Sequence, residues 1–523
     1  MRASLVRNLP CLQARWRLRR DAFRNVRKSF HQLSIAVTGK PSKGAVLDCL
    51  ERQLKSSGHG SGLSHDAAVI LASPEFASWS EDQGFMSQLL GTLHQRQRQK
   101  RAGATSGPGE ARTDVLFGVV DGIADPHHLH GKPHQGLSIL YGGSTASLLP
   151  SLWDQGKVAG RGDPDKASAV EFTAHEAESI DGQEVPTNVT LPLANTLFQN
   201  GRRSTLFASR WLSPSAAGRQ MELEWREEKS HQEVSCLRGL RKMPLRIPLM
   251  PLAPPRKIVA GLGNIVRQVE IDGVVSPASK ELEMLIPQIF EKRAARAGEL
   301  DQAPSPIGVW AWVLPAHLVE KMSYDSAFRT YQSNQDAEEW RLDVDARGIY
   351  EELLTHECRM YKILSGGGGW GAKQGLLSLD PETTYAAPEQ EDIDMFIKAF
   401  EERNSASQAS SEGIVTPGSY ILFCAEPQRV VDGGHTPFSS VDPTWSRLTL
   451  TVAPKNEDPL QGVEDIEGAK KDETTADVVP GHFGAASSTG LYLRAPHSSF
   501  TTKIDAPHSA ISWDWTPPDP LDD

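Results

Sequence analysis

The sequence predicts an α/β (or α+β) protein whose core lies in two mixed-sheet halves. Short runs of aliphatic and β-branched residues, typical of buried strands, are interspersed with segments whose apolar residues recur at helical spacing. A proline-rich passage at 243–255 separates two such series. We therefore predict an N-terminal α/β domain at 60–255 and a C-terminal α/β domain with a glycine-rich loop at 256–455.

The first half has the element order of a crossover unit. Residues 67–73 form a continuous apolar run, and Ser73 followed by Pro74 is a helix-start signal. Further buried runs occupy 114–121 and 136–141. A strand, a helix and a second strand in this order predict an α/β unit.

The second half contains strands and helices in a less regular order. Two β-branched runs within 256–271 predict strands, and an amphipathic helix that Ser276 can cap follows them. Further elements are predicted at 307–314, 335–356, 391–403, 418–425 and 448–452.

The N-terminal segment has the composition of a mitochondrial transit peptide. Residues 1–34 contain eight arginines and one lysine against one aspartate, although the whole chain has a formal charge of -11. The segment can wind as a basic amphipathic helix and has no apolar h-region. We predict that residues 1–36 are a targeting presequence, cut within Phe30–Val37, and that the protein resides in the mitochondrial matrix. A basic tail that contacts RNA or a membrane surface is the alternative.

The C-terminal segment, 456–523, is predicted to be an acidic, largely disordered linker and tail with weak strands near its end, because large apolar residues are sparse. The acidic character of the chain beyond its N-terminus disfavours direct nucleic-acid binding, which needs a basic footprint. No apolar run reaches the roughly 18 residues of a membrane-spanning helix, so no transmembrane segment is predicted.

Sequence motifs do not identify a reaction. The five cysteines are scattered and form no CxxC pair, and the histidine-rich stretch 126–134 is interpreted as a solvated loop in preference to a metal site. We therefore predict no catalytic residues and no metal ligands, leave the cofactor undetermined, and lean against an enzyme. An arrangement of Asp121, His356 and the glycine-rich loop around one pocket would favour an enzyme instead.

The candidate ligand-binding segment is a glycine-rich stretch between two apolar runs. It fits GxGxxG literally, but a strand-like run follows it where a dinucleotide site needs a helix, and a phosphate loop would need a GK pair followed by a hydroxyl. Backbone amides of such a turn can form an anion nest, with a lysine for charge and a tryptophan as a lid. A plain structural turn with the tryptophan as a packing plug is an equally good interpretation. The candidate residues are Gly366, Gly367, Gly368, Gly369, Trp370, Gly371 and Lys373.

Three segments of the first half carry a family resemblance. The run Ile70-Leu-Ala-Ser-Pro-Glu-Phe76 before a helix, followed by 115–122 and 136–140, resembles the FIST (F-box and intracellular signal transduction) sensory domain. The resemblance covers 65–145, and a second FIST half would extend to 455. It implies binding of small ligands such as amino acids and no catalytic residues. The chain has no F-box, kinase or cyclase output region that the sequence reveals.

These observations lead to one functional prediction and one rival. The leading prediction is a mitochondrial small-ligand-binding or regulatory (sensory) protein. The alternative is an accessory factor of mitochondrial gene expression that acts through protein contacts, for example with the ribosome. A small molecule and a protein both remain open as partners.

Overall fold

A computed structural model shows that the chain folds as an α+β structure, with four β-sheets among the residues that it describes. No helix in the part that it describes is long and apolar enough to cross a membrane. The described residues are 30–56, 66–101, 111–126, 132–154, 167–176, 186–213, 220–240, 245–299, 307–321, 350–356, 358–366, 375–385, 414–427, 446–454, 475–495, 498 and 500–515.

The elements are numbered in chain order. The strands are β1 (Phe30–Thr38), β2 (Ala67–Ala72), β3 (Ala111–Val119), β4 (Gly136–Gly142), β5 (Ala169–Glu176), β6 (Pro186–Pro192), β7 (Leu206–Ser213), β8 (Glu222–Glu228), β9 (His231–Leu240), β10 (Leu245–Arg246), β11 (Met250–Pro251), β12 (Arg256–Leu262), β13 (Ile265–Ile271), β14 (Val274–Pro277), β15 (Val309–Leu314), β16 (Arg359–Gly366), β17 (Leu377–Leu379), β18 (Tyr420–Ala425), β19 (Ser446–Val452), β20 (Thr475–Pro480), β21 (His482–Ser487), β22 (Leu491–Arg494), β23 (Thr502–Ile504) and β24 (Ala510–Trp515). The helices are α1 (Lys43–Ser56), α2 (Gln83–Arg101), α3 (Thr145–Leu148), α4 (Leu197–Asn200), α5 (Lys280–Glu299) and α6 (Ala316–Lys321), with a 3-10 helix at Pro74–Glu81 and helical residues at 350–355.

A seven-stranded sheet with the order β20-β1-β4-β2-β3-β7-β8 forms the first layer. The predicted crossover unit is confirmed, because β2 and β3 run parallel and α2 lies between them in the chain. Helix residues such as Leu50 and Leu89 pack on one face of this sheet against Ile70 and Phe117. The helix predicted after Ser73 starts at Pro74, but the Ser73 hydroxyl donates to Glu75 instead of capping the helix.

Strands β12 to β18 of the second half lie in one antiparallel sheet, with helix α5 between β14 and β15 in the chain. Strands β12, β13, β17, β16, β15 and β18 pair in this order, and β18 also pairs with β12, so the sheet closes into an antiparallel barrel. The predicted cap at Ser276 is wrong, because Ser276 lies in β14, paired with Val269, and α5 begins at Lys280. Runs of apolar residues do not reveal which strands pair, so the sequence did not predict the barrel.

Within 456–523, residues 475–495 and 500–515 contain five strands, which include the weak strands expected near the end, and 456–474 and 516–523 lie outside the described part of the chain. Strand β20 joins the seven-stranded sheet, β21 and β24 join a four-stranded sheet (β10-β24-β19-β21), and β22 and β23 join a five-stranded sheet (β23-β22-β6-β5-β9). Its buried side chains, including Phe483 and Trp513, share one core with Phe172, Trp310 and Trp312. These short strands are buried by partners that lie far away in the sequence, so local composition understates their order.

The first described strand overlaps the predicted presequence. Strand β1 lies inside the seven-stranded sheet, between β20 and β4, and Leu33, Ile35 and Val37 are buried. A presequence boundary at 36, or a cut within Phe30–Val37, would remove part of this inner strand. Residues 32–37 are all buried, so both faces of this strand are covered, and the basic composition of the preceding segment obscured the strand in the sequence.

Candidate functional site

The glycine-rich stretch connects two neighbouring strands of the barrel. Gly366 is the last residue of β16 and pairs with Leu377 of β17. Gly375, at the other end, has a φ of 82°, and a Cβ there would lie 2.6 Å from Pro277 Cβ, so glycine is required. The strand–glycine–strand order is as predicted. The other candidate residues lie outside the described part of the chain: Gly367, Gly368, Gly369, Trp370, Gly371 and Lys373.

A buried ionic cluster lies at the opposite end of the β16–β17 hairpin. Lys503 Nζ is 3.0 Å from Asp380 Oδ2 and 2.7 Å from Glu382 Oε2. The Lys503 side chain is 9% exposed and comes from β23, whereas both carboxylates follow β17. The amide of Asp380 donates to the carbonyl of Lys362 at 2.8 Å, which fixes the start of the carboxylate segment on the barrel. The cluster therefore joins the barrel to the five-stranded sheet.

Two tyrosines form the apolar side of this cluster. Tyr492 of β22 pairs in register with Lys503, and the Lys503 ammonium lies 5.9 Å from the centroid of its ring. The Tyr385 ring lies 5.2 Å from the Tyr492 ring, and the Tyr385 hydroxyl donates to the carbonyl of Ala167 at 2.6 Å. The rings shield the charged groups from water and supply a cation–π contact.

A third carboxylate, Asp505, borders the cluster and is held by a tryptophan. Trp310 Nε1 donates to Asp505 Oδ1 at 2.7 Å, and the Lys362 ammonium lies 5.4 Å from the centroid of the Trp310 ring. At Gly490 the φ is 108°, and a Cβ would lie 2.9 Å from Asp505 Cβ, so the chain approaches too closely for a larger residue. The Asp505 side chain is thereby fixed between β15 and the end of β23.

Burial shifts the ionisation of several of these groups. Burial raises the pKa of Asp505, although the hydrogen bond from Trp310 opposes the shift. Burial also raises the pKa of Tyr385 to about 12, and it raises the pKa of Tyr492 as well. For Lys503, burial lowers the pKa, but hydrogen bonds to Glu382 and Asp380 outweigh it, so its net pKa is raised. Lys503 is therefore a charged donor and a poor nucleophile.

Asp121 is held by structural hydrogen bonds, and the His356 side chain is exposed. Asp121 Oδ2 accepts hydrogen bonds from the Ser488 amide at 2.7 Å and the Ser488 hydroxyl at 3.0 Å, which fixes the turn after β21. Burial raises the pKa of Asp121, opposed by these bonds. His356 ends the helical residues 350–355, and its carbonyl accepts a weak bond from the Cys358 thiol, whose pKa burial raises to about 12.

The histidine-rich stretch is only partly described. His134 Nε2 lies 3.0 Å from Asp125 Oδ2, and residues 127–131 lie outside the described part. Within the described residues, no group of three or more His, Cys, Asp or Glu side chains is placed to hold a metal ion.

The sequence did not point to the ionic cluster. Its charged residues come from segments more than a hundred positions apart, and three of its members, Tyr492, Lys503 and Asp505, lie in the segment predicted to be a tail. No motif spans such a distance. The only usable local signal was the Asp380-Pro381 pair directly after an apolar run.

Comparison with known proteins adds no relative: no protein family, no curated protein and no solved structure matches this chain. The FIST resemblance therefore remains a prediction from residues 65–145.

Proposed function

We propose that the protein binds a small zwitterionic metabolite, such as an amino acid, and acts as a regulatory or sensory protein of the mitochondrial matrix. The observation that carries this proposal is the Lys503 ammonium held between the Asp380 and Glu382 carboxylates. The basic N-terminal segment supports the location, and the FIST resemblance supports the sensory role.

The cluster contains a complement for each charge of a zwitterion. A ligand carboxylate would bind the Lys503 ammonium, and a ligand ammonium would bind the carboxylates of Asp380 and Glu382. The ion pairs within the cluster would thus be replaced by equivalent pairs with the ligand. Burying charges that only neutralise one another costs desolvation free energy that an apolar contact would avoid. Buried groups with shifted pKa values also concentrate at functional sites. Glu382, with a side chain 37% exposed, is the member that a ligand meets first.

A ligand screen tests the proposal. Amino acids are compared with analogues that lack either the amine or the carboxylate, using thermal unfolding of the full chain. A ligand at about 100 times its dissociation constant stabilises the folded state by about 2.7 kcal/mol. We expect the zwitterions to raise the melting temperature and the single-charge analogues to act weakly. A screen in which no amino acid changes the melting temperature contradicts the proposal.

A matched variant separates this site from general electrostatics. Glu382→Gln removes one carboxylate from the cluster and should abolish most of the ligand response. Glu227→Gln is the control, because Glu227 is similarly exposed (38%) and also pairs with a lysine, Lys229, at 3.0 Å. An equal loss of response in both variants would assign the effect to surface charge.

The second candidate function is an accessory factor that acts through protein contacts. The observation that favours it is Trp225, which is 53% exposed on β8, the last strand of the seven-stranded sheet. Exposed aromatic residues on edge strands are suited to pairing with another chain. Cosedimentation of the protein with mitochondrial ribosomes, abolished by Trp225→Ser, would support this function.

A further inference from the structure

One face of the four-stranded sheet packs on the shared apolar core. The centre of the opposite face is also buried, and its side chains are small or carry hydroxyl groups. Leu448, Leu450, Ile511 and Trp513 of β19 and β24 point into the shared apolar core. Successive side chains of a strand alternate, so the residues between them point the other way. The central row of that opposite face is Ser512, Thr449 and Gly484, which are register partners across β24, β19 and β21.

Two hydroxyls in this row are buried without a partner. Thr449 is 0% exposed and Ser512 is 4% exposed, and among the described residues neither Thr449 Oγ1 nor Ser512 Oγ has a hydrogen-bond partner. Directly opposed residues on antiparallel strands are close enough for their hydroxyls to bond one another, and these two do not. A buried hydroxyl without a partner is costly, so a polar group that the described residues do not supply is expected at this position.

The neighbouring side chains indicate the charge of that group. Arg246 of β10 pairs in register with Ala510, and its neighbour Leu245 points into the core, so Arg246 lies on the hydroxyl face. Arg246 is 8% exposed. The two rows nearest Arg246 carry no acidic residue: Ala510, Thr451, Ala486, Ser512, Thr449 and Gly484. The next row pairs Asp514 of β24 with Arg447 of β19. Hydroxyl donors beside a guanidinium are suited to an oxyanion.

We propose that this face binds a small oxyanion, a phosphate or carboxylate group, with Thr449 and Ser512 as hydroxyl donors and Arg246 as its counter-charge. The site is separate from the Lys503 cluster and does not depend on zwitterion binding. Neither β10, β19 nor β24 contributes a side chain to that cluster. The two sites can therefore be tested independently.

The test uses inorganic phosphate and acetate as probes. Thermal unfolding of the full chain is followed as each salt replaces chloride at constant ionic strength, and isothermal titration calorimetry gives the dissociation constant. We expect saturable binding of one of the two anions, and the preferred anion identifies the source as phosphate or carboxylate. If neither anion binds the wild-type protein, the hydroxyls are satisfied by water and the proposal is overturned.

Three variants and one control locate the site. Thr449→Val keeps the shape and removes the hydroxyl, Ser512→Ala removes the second one, and Arg246→Gln removes the charge. Each should weaken anion binding about tenfold or more, the loss expected for a hydrogen bond to a charged group. The control is Thr187→Val, which removes a buried hydroxyl without a partner on β6 and should leave binding unchanged.

Circular dichroism establishes that each variant is folded. Ser512→Ala is the mildest change and keeps the test decisive if the others fail to fold. Unchanged anion binding in folded Ser512→Ala and Thr449→Val would overturn the proposal, as would an equal loss of binding in Thr187→Val.

Discussion

Two buried ionic groups in this protein are built in different ways. In the barrel, Arg256 binds Glu281 in a bidentate manner, with Nε 3.1 Å from both carboxylate oxygens and a terminal nitrogen 2.6 Å from Oε1. At the junction with the five-stranded sheet, Lys503 contacts Asp380 and Glu382 with a single ammonium. The barrel pair joins elements 25 positions apart, and the junction cluster joins segments more than 120 positions apart.

The difference separates a structural pair from a candidate binding site. The planar fork of an arginine matches one carboxylate. The guanidinium donors that face Glu281 are therefore already used and cannot bind a ligand. The hydrogen bond to Glu281, against the opposing effect of burial, raises the pKa of Arg256, as expected for a stable pair. Lys503 instead shares one compact charge between two acids beside two phenols. We expect both groups to contribute to stability and only the cluster to respond to a ligand.

The largest effect is expected for Lys503→Met. This change leaves Asp380, whose side chain is 16% exposed, without its counter-ion, and breaking a buried pair typically costs about 3–5 kcal/mol. Urea unfolding of the full chain measures the loss. The control is Lys229→Met, whose partner Glu227 is 38% exposed and can be solvated, so a loss of about 1 kcal/mol or less is expected there. Equal losses in both variants would remove the distinction between a buried cluster and a surface pair.

A somewhat smaller effect is expected for Arg256→Met. It strands one buried carboxylate, Glu281, because the other neighbour, Asp272, is 85% exposed and solvated. We expect a loss of about 3 kcal/mol in urea unfolding. The decisive measurement is the melting-temperature response to the zwitterion panel, which this variant should retain in full. Loss of that response would show that the barrel pair also belongs to the binding site.

The contrast also explains what the sequence could predict. Strands β2 and β3 were predicted because their apolar runs are continuous and the helix start at Pro74 lies between them, so local pattern and tertiary structure agree. The closed barrel was not predicted, because ring closure depends on the pairing of β18 with both β12 and β15. Periodicity identifies strands and carries no information on their partners.

The candidate site was missed for the same physical reason. The glycine-rich stretch attracted the prediction because its composition is locally unusual, whereas Lys503 lies in a short, weakly apolar strand. Lys503, Asp380 and Glu382 form a cluster only because the fold brings β17 and β23 together. Whether Gly366 and its neighbours bind a ligand stays a prediction.

Replacing the whole barrel pair should have a small effect. In Arg256→Met combined with Glu281→Leu, both charges are removed, and apolar replacement of a buried ion pair is often neutral or stabilising by about 1–4 kcal/mol. We expect unfolding free energy at or above the wild-type value in the same urea assay. Lys503→Met with Asp380→Leu is the matched test, and it should recover most of the stability lost in Lys503→Met, because the remaining carboxylate, Glu382, is 37% exposed and can be solvated. A double variant as unstable as Lys503→Met would show that Glu382 needs Lys503 as its counter-ion.

The smallest effect is expected for Asp505, at the edge of the cluster, whose ionisation should make the folding stability depend on pH. Burial raises the pKa of Asp505 above its usual value of 3.8, so the folded state binds this proton more tightly than the unfolded state. The stability that this proton contributes is fully present at pH values below the usual pKa of 3.8. It is lost as pH rises through the pKa of the folded state. Asp505→Asn keeps an acceptor for Trp310 and cannot ionise, so its stability relative to wild type should increase as pH rises from about 4 to neutrality. Urea unfolding across this range measures the difference. A constant difference would mean that Asp505 ionises as readily in the folded protein as in the unfolded one, and the cluster would then carry a third full negative charge for a ligand ammonium.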